Sequence, residues 1–328
     1  MQSFSSGRFG VGGKLALAIA ACGAIAACSA GKTTKLGTGG DGGGGDGGSI
    51  VGGGGSGTAG GSTGGAGGGI GGGIGPGGSG GAGDGCDDAT KGSIYILGQD
   101  KQFARFEPQT QQLTVMGTLD CPGESFMTTF SMSVDRAGVA WVLFADGNVF
   151  HVDTKTLACS ATGFAPCQSN FCSFGMGFTA DAAGSSAETL YVSGVYNGPP
   201  GEGLAKIDAQ TLALTPIADY DGILTGKGAE LTGTGDGKLY GYFQDTPIRL
   251  AEIDKTTAHV VNMWDLVEIP TGTSWAFAFW GGSFYIMSGT GIRKFDPMTN
   301  VTTLINGNVG FNIVGAGVST CAPTEEPK

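Results

Sequence analysis

A pattern of alternating large and small side chains recurs in five copies of five residues after residue 129. Each copy opens with a large apolar residue and carries Ser, Gly, Thr or Ala at its second and fourth positions. Successive residues of a β-strand point to opposite faces, so the pattern predicts strands with one bulky face and one narrow face. The copies, called pentads below, are Phe130–Val134, Phe174–Phe178, Leu231–Gly235, Trp275–Phe279 and Val314–Val318.

A second repeat is an apolar strand that ends in an acidic residue, with Thr three positions later. An Asp that begins a tight turn accepts backbone N–H groups further along the turn, and Thr re-enters a strand well. We therefore interpret these acids as turn formers rather than as reactive groups. The pairs are Glu107 with Thr110, Asp153 with Thr156, Asp208 with Thr211, Asp254 with Thr257, and Asp296 with Thr299.

Together the two repeats predict a four-stranded unit whose innermost strand is the pentad. The chain begins with the last three strands of one unit, continues with four complete units and ends with a lone inner strand. The fold class that follows is all-β, a five-bladed β-propeller in which residues 313–319 complete the blade begun by residues 94–119. This closure leaves no open sheet edge in the ring.

These repeats resemble those of secreted bacterial β-propellers of the quinoprotein-like or NHL-like kind, over roughly residues 90–320. The resemblance implies a fold much more than an activity, because propellers host many functions. The tryptophan docking motif of quinone-dependent dehydrogenases is missing, so no cofactor is expected. The family's Gly after the turn Thr is also missing, and its place is taken by Gln111, Leu157, Leu212, Ala258 and Asn300.

The N-terminus has the features of a bacterial export signal. Arg8 and Lys14 precede the apolar segment Leu15–Ala27, which is too short to span a membrane as an ordinary helix. The sequence therefore predicts a lipoprotein signal peptide over residues 1–27.

Lipidation is predicted at Cys28, because Ile25-Ala26-Ala27-Cys28 resembles the bacterial lipoprotein box. Cys22 is a weaker candidate because it leaves a shorter apolar segment, and an ordinary cleaved signal is the alternative. Ser29 follows in place of Asp, which by resemblance to the bacterial sorting rule favours the outer membrane. We expect a lipid-anchored outer-membrane protein that is either periplasmic or exposed at the surface.

Residues 28–85 are rich in glycine and contain nearly half of the 67 glycines of the chain, and they show no apolar periodicity. Such a segment buries too little surface to offset its ordering entropy, so we predict a flexible tether rather than a structural polyglycine element. The predicted propeller domain covers residues 86–323 and a short tail covers residues 324–328. The net charge of −11 argues against a nucleic-acid partner, and we expect a monomer.

Six cysteines follow the export segment, and an even number in an exported chain indicates disulfide bonds. Cys86 precedes the first strand and Cys321 follows the last, so we predict that they pair and lock the ring. The preferred partners among the other four are Cys121 with Cys159 and Cys167 with Cys172, although their pairing is left open. A Cys-based metal site is the alternative, but there is no Cys-x-x-Cys pair, and no metal is expected.

Candidate catalytic residues are missing. Glycosidases use two carboxylates, and no pentad contains Asp or Glu. Glu230, which directly precedes a pentad, is the carboxylate that we place near a mouth of the central channel. No catalytic residue is assigned.

Two tryptophans, Trp264 and Trp275, border the segment 266–274, one of the longer loops expected on the ligand-facing side. We assign Glu230 and Trp264 to a candidate ligand face, and we interpret Trp275 as core packing because it occupies a large pentad position. The sequence therefore favours a binding or scaffold module for a protein or glycan partner. The alternative is a hydrolase or lyase that acts on an extracellular polysaccharide.

Overall fold

A computed structural model describes residues 85–122, 128–195, 201–272 and 274–328. The predicted signal peptide, Cys28 and nearly all of the predicted tether lie outside these residues. Within them there are one four-residue α-helix, α1 (Asp88–Lys91), and one short 3-10 helix (Gly222–Leu224), and neither is long and apolar enough to cross a membrane.

The described part of the chain contains twenty strands, which are numbered here in chain order. Strands β1 to β3 are Ile94–Gly98, Gln102–Glu107 and Gln112–Thr118. Strands β4 to β7 are Thr129–Val134, Val139–Phe144, Val149–Asp153 and Cys159–Ala161. Strands β8 to β11 are Phe174–Ala180, Glu188–Gly194, Leu204–Ile207 and Leu214–Ala218. Strands β12 to β15 are Ala229–Gly233, Leu239–Phe243, Ile248–Ile253 and Val260–Leu266. Strands β16 to β20 are Trp275–Trp280, Ser283–Ser288, Gly291–Asp296, Val301–Asn306 and Ile313–Gly317.

These strands form five antiparallel four-stranded sheets, which are the blades of a β-propeller. Blades 2 to 5 each use four consecutive strands, whereas blade 1 has the order β20-β1-β2-β3. The last strand pairs with β1 in a register that places Tyr95 opposite Gly317. The predicted all-β fold, its five blades and its closure by the final strand are confirmed.

The narrow face of the pentads lets neighbouring inner strands approach each other. A Cβ atom on Gly177 of β8 would lie 2.9 Å from the carbonyl carbon of Leu231 on β12. One on Gly317 of β20 would lie 3.0 Å from the backbone nitrogen of Val134 on β4. The bulky face points the other way: Phe174 and Met176 are buried in a cluster that includes residues of blade 2. Blades therefore interlock through opposite faces of one strand.

Where a narrow position carries a hydroxyl, it also bridges blades. Ser133 on β4 accepts a hydrogen bond from the backbone N–H of Phe178 on β8, at 2.9 Å. Thr232 on β12 accepts one from the N–H of Phe279 on β16, at 3.3 Å. These N–H groups would otherwise be buried without a protein partner, which is costly.

The repeated acids form turns, as the sequence predicts. The Asp153 carboxylate accepts the backbone N–H groups of Lys155 and Thr156, at 2.9 and 2.8 Å. The Asp208 carboxylate does the same in the next blade. In each turn the residue after Thr has a left-handed backbone, although none of them is Gly: Gln111 (φ 56°), Leu157 (62°), Leu212 (60°), Ala258 (63°) and Asn300 (57°).

Both ends of the described chain meet at the end of the inner strands. A disulfide joins Cys86 to Cys321, which are 235 residues apart, and the Trp280 indole N–H donates to the Lys91 carbonyl at 2.9 Å. The C-terminal residues lie over the β16–β17 turn, where the Gly281 N–H donates to the Pro323 carbonyl at 2.8 Å. The other two disulfides are Cys121–Cys159 and Cys167–Cys172, which match the preferred sequence pairing.

We expect replacement of both Cys86 and Cys321 by Ser to lower the free energy of unfolding by about 4–5 kcal/mol. The physical reason is that the bond closes a very long loop and so restricts the unfolded chain. The matched control replaces Cys167 and Cys172, which close a five-residue separation, and should lose only about 2 kcal/mol. Equal losses in denaturant unfolding of the two variants would contradict this reasoning.

We expect Gln111→Gly to stabilise the protein by about 0.5–1 kcal/mol, because glycine adopts the left-handed conformation without the steric penalty of a Cβ atom. Gln111 is exposed, so little packing is lost. The control is Gln112→Gly, one residue later in β3, which should destabilise by a similar amount. Thermal unfolding of the two variants tests the difference in sign.

Candidate functional site

A cavity of about 260 Å³ opens at the end of the propeller where the inner strands begin. Thr129 and Phe130 are the first residues of β4, Trp275 begins β16, and Val314 is the second residue of β20. Pockets for drug-sized ligands run from about 300 to 1,000 Å³, so this cavity fits one small chemical group or ring. Its lining consists of Gln99, Thr128, Thr129, Phe130, Glu230, Ser274, Trp275 and Val314.

The position of Glu230 depends on the glycine of a neighbouring blade. Glu230 is the second residue of β12, and a Cβ atom on Gly175 of β8 would lie 2.5 Å from its Cα atom. With no side chain there, the glutamate reaches past β8 to β4, where the Ser131 hydroxyl donates to Oε2 at 2.8 Å. The backbone N–H of Met176 supplies a second hydrogen bond.

Burial controls the charge of this carboxyl. Glu230 is only 5% exposed, and desolvation raises its pKa well above the ordinary value of 4.5. The hydrogen bonds from Ser131 and Met176 favour the charged form, but the desolvation of the carboxyl is the larger effect. No Lys, Arg or His is among the described residues that line the cavity.

The two tryptophans lie in different places. Trp275 is partly exposed, lines the cavity and also packs against the core cluster of blades 4 and 5. Trp264 lies on the outer strand β15 opposite Leu250, and its ring centroid is 6.1 Å from that of Phe284. The structure therefore brings Glu230 together with Trp275, whereas Trp264 does not line this cavity.

The first position of the pentad marks several lining residues. They are Phe130, Trp275 and Val314, and in all three blades that position comes to the channel mouth. Gln99 and Thr129 come from loop and strand ends, where no periodicity identifies them. Ser131 is a small pentad position, and its contact with Glu230 joins residues 99 apart in the chain.

A second glutamate with a perturbed carboxyl, the half-buried Glu188, lies at the start of β9 near the opposite end of the inner strands. It accepts the backbone N–H of Arg136 at 2.8 Å and the Thr320 hydroxyl at 2.7 Å, and the Arg136 guanidinium donates to the Thr320 hydroxyl at 3.0 Å. Burial raises the pKa of Glu188 as well. These bonds tie three segments together, so we interpret Glu188 as structural.

A groove of about 500 Å³ lies on blade 3 beside Glu188. Much of its lining is the turn that Asp208 forms, and that carboxylate is occupied by backbone N–H groups. Among residues 85–122, 128–195, 201–272 and 274–328, no group of three or more His, Cys, Asp or Glu side chains could hold a metal ion. The cavity that Glu230 and Trp275 line, called the axial cavity below, is therefore the stronger candidate site.

No protein-family profile matches the sequence, and no curated protein matches it. Among solved structures, the chain is similar to one from the nidogen/laminin complex, at 7% identity over 71% of this chain and 99% of that one, with a TM-score of 0.43. It is also similar to an auxiliary nutrient-binding protein from Bacteroides thetaiotaomicron, at 11% identity over 67% of this chain and 55% of that one, with a TM-score of 0.39.

A third similar structure is the extracellular domain of a protein assigned to a hybrid two-component system of B. thetaiotaomicron. The identity is 19% over 68% of this chain, the TM-score is 0.37, and this chain spans 29% of the length of that one. TM-scores at this level carry no argument about function. The fold assignment rests on the sheet topology of the chain itself.

We expect Glu230→Gln to flatten the dependence of stability on pH, because Gln resembles the neutral carboxylic acid and cannot ionise. In the wild type the folded-state pKa lies above the unfolded value near 4.5. Stability is therefore fully present below about pH 4.5 and falls by up to about 1.4 kcal/mol per pH unit as the pH rises toward the folded pKa.

The measurement is the free energy of unfolding between about pH 5 and about pH 8. The advantage of the Gln variant over the wild type should grow with pH across this range. The same substitution at Glu325, which is exposed on the C-terminal tail, is the control and should leave the slope unchanged. Parallel curves for wild type and Glu230→Gln would show that burial does not perturb this carboxyl.

Proposed function

We propose that this propeller is a binding module of the bacterial cell envelope and that its ligand site is the axial cavity. The observation that carries the proposal is the joining, in one small cavity, of an aromatic wall at Trp275, the amide of Gln99 and the carboxyl of Glu230. A few directed polar groups on an apolar wall are typical of small-ligand sites. The partner is a glycan or a protein that inserts one small group.

The proposed location in the envelope rests on the sequence. The signal over residues 1–27 directs export, the lipid on Cys28 anchors the chain to the outer membrane, and the glycine-rich segment 28–85 tethers the propeller. Cys86 lies at the end of the propeller where the inner strands finish, because it is bonded to Cys321 after β20. The cavity opens at the other end of the inner strands.

The alternative function is a hydrolase or lyase acting on an extracellular polysaccharide, with Glu230 as a general acid. Its raised pKa suits that role. Glycosidases of the common mechanisms need a second carboxyl within about 5–10 Å, however, and Glu230 is the one carboxyl among the described lining residues. The geometry therefore favours binding without turnover. Turnover that is lost in Glu230→Gln would favour the enzyme instead.

We expect Trp275→Leu to weaken ligand binding about tenfold, because it removes an aromatic face of the cavity while keeping an apolar side chain. The screen uses the full chain on a glycan array and in titrations against peptides, with thermal unfolding as the check on folding. Trp264→Leu on the outer strand is the matched control and should leave affinity unchanged. Binding that depends on Trp264 instead would place the ligand face on the outer strand.

A further inference from the structure

The hydrogen-bond partners of the Glu230 carboxyl are neutral donors. They are the Ser131 hydroxyl and the Met176 backbone N–H, both of which donate to it. Donors of this kind stabilise a carboxylate, whereas burial opposes its charge. No Lys, Arg or His is among the described residues that line the cavity with it. A cation from outside the chain would complete this arrangement.

The remaining cavity wall suits an organic cation. Trp275 and Phe130 supply aromatic rings, whose faces attract an ammonium group within about 6 Å. The hydroxyl oxygens of Thr129 and Ser274 and the amide oxygen of Gln99 can accept its remaining N–H groups. A hard metal ion fits less well, because Ca²⁺ takes about six to eight oxygen ligands and the cavity offers one carboxyl.

Among the described residues, no positive charge lines the site, because the lining includes no Lys, Arg or His. The net charge of −11 favours the approach of cations over anions. A ligand that presents a carboxylate or phosphate to this cavity would meet Glu230 without compensation.

We propose that the axial cavity binds a small alkylammonium group and that Glu230 ionises when this group enters. This inference rests on the function proposed above and specifies its ligand. The neutral carboxylic acid gives its proton to the solvent, and the resulting carboxylate accepts an N–H of the ammonium; no other bond breaks. A lysine side chain of a protein and an amino sugar of a glycan share this chemistry.

Other titrating groups near Glu230 do not change charge in the same range. On β4 and β8 it meets Ser131, Gly175 and Met176, none of which titrates. On β13 it lies opposite Tyr242, which is fully buried, and burial raises the pKa of that phenol. A proton released on binding at mildly acidic to neutral pH therefore comes from Glu230.

The test is isothermal titration of the full chain with two matched pairs of probes. Nα-acetyllysine amide is compared with the neutral Nα-acetylnorleucine amide, and glucosamine is compared with N-acetylglucosamine. We expect the ammonium member of at least one pair to bind about tenfold more tightly than its neutral partner. The pair that shows this preference identifies the source of the ligand. Titration in buffers of different ionisation enthalpy should show release of one proton, and affinity should rise with pH from about 5 to about 7.

Two variants make the result specific. Glu230→Gln should abolish both the preference for ammonium and the proton release while keeping the fold. Glu188→Gln replaces the half-buried glutamate of β9, which does not line the cavity, and should leave both unchanged. Equal binding of charged and neutral probes, or no binding of any probe, would overturn the inference. Neutral glycans that bind in a Trp275-dependent manner without proton release would overturn it while leaving the proposed binding module standing.

Discussion

The structure depends on the close approach of five inner strands around one axis. Neighbouring strands come so near that a Cβ atom on Gly177 would press on the backbone of β12, and one on Gly317 would press on that of β4. Only Gly, Ala, Ser or Thr fits on the face where blades converge. Bulky residues must then occupy the opposite face, and they build the buried clusters between blades. The alternation of the pentads follows directly from this geometry.

The same constraint places a carboxyl where a charge is unfavourable. Because Gly175 lacks a side chain, β12 can pack against β8, and Glu230 extends across the axis to Ser131. A carboxyl in this position gives up its hydration and receives only neutral donors in return. Stability and site chemistry thus have one origin, because the narrowness that holds the blades together also removes the Glu230 carboxyl from water.

Much of the fold can be predicted from the sequence because its determinants are local and repeated. The alternation within Phe174–Phe178 predicts on which face of the strand each side chain lies, and the number of pentads predicts the number of blades. Cys86 pairs with Cys321 because closure of the ring requires the two ends to meet. Periodicity does not say how far along the axis a residue lies. For that reason the pentad position of Trp275 predicts core packing alone, whereas the side chain also lines the cavity.

Contacts between distant segments could not be predicted from the sequence, for a different reason. The approach of Ser131 to Glu230 depends on the register of three blades at once, which no single repeat specifies. The left-handed residues after each turn Thr show the reverse case. Neither Gln nor Ala is a residue type that favours a left-handed backbone, so the identities of Gln111 and Ala258 do not predict one. Their shared position directly after the turn Thr does.

Closure of blade 1 by β20 has a consequence for the order in which the protein can be built. Strand β1 pairs with β20, which follows all the other described strands, so the inner edge of β1 stays open until residues 313–317 are available. Blades 2 to 5 each comprise consecutive strands and can form as they emerge from the ribosome, whereas blade 1 must wait for β20. Among the described strands, β1 to β3 are made first, and their sheet is completed last.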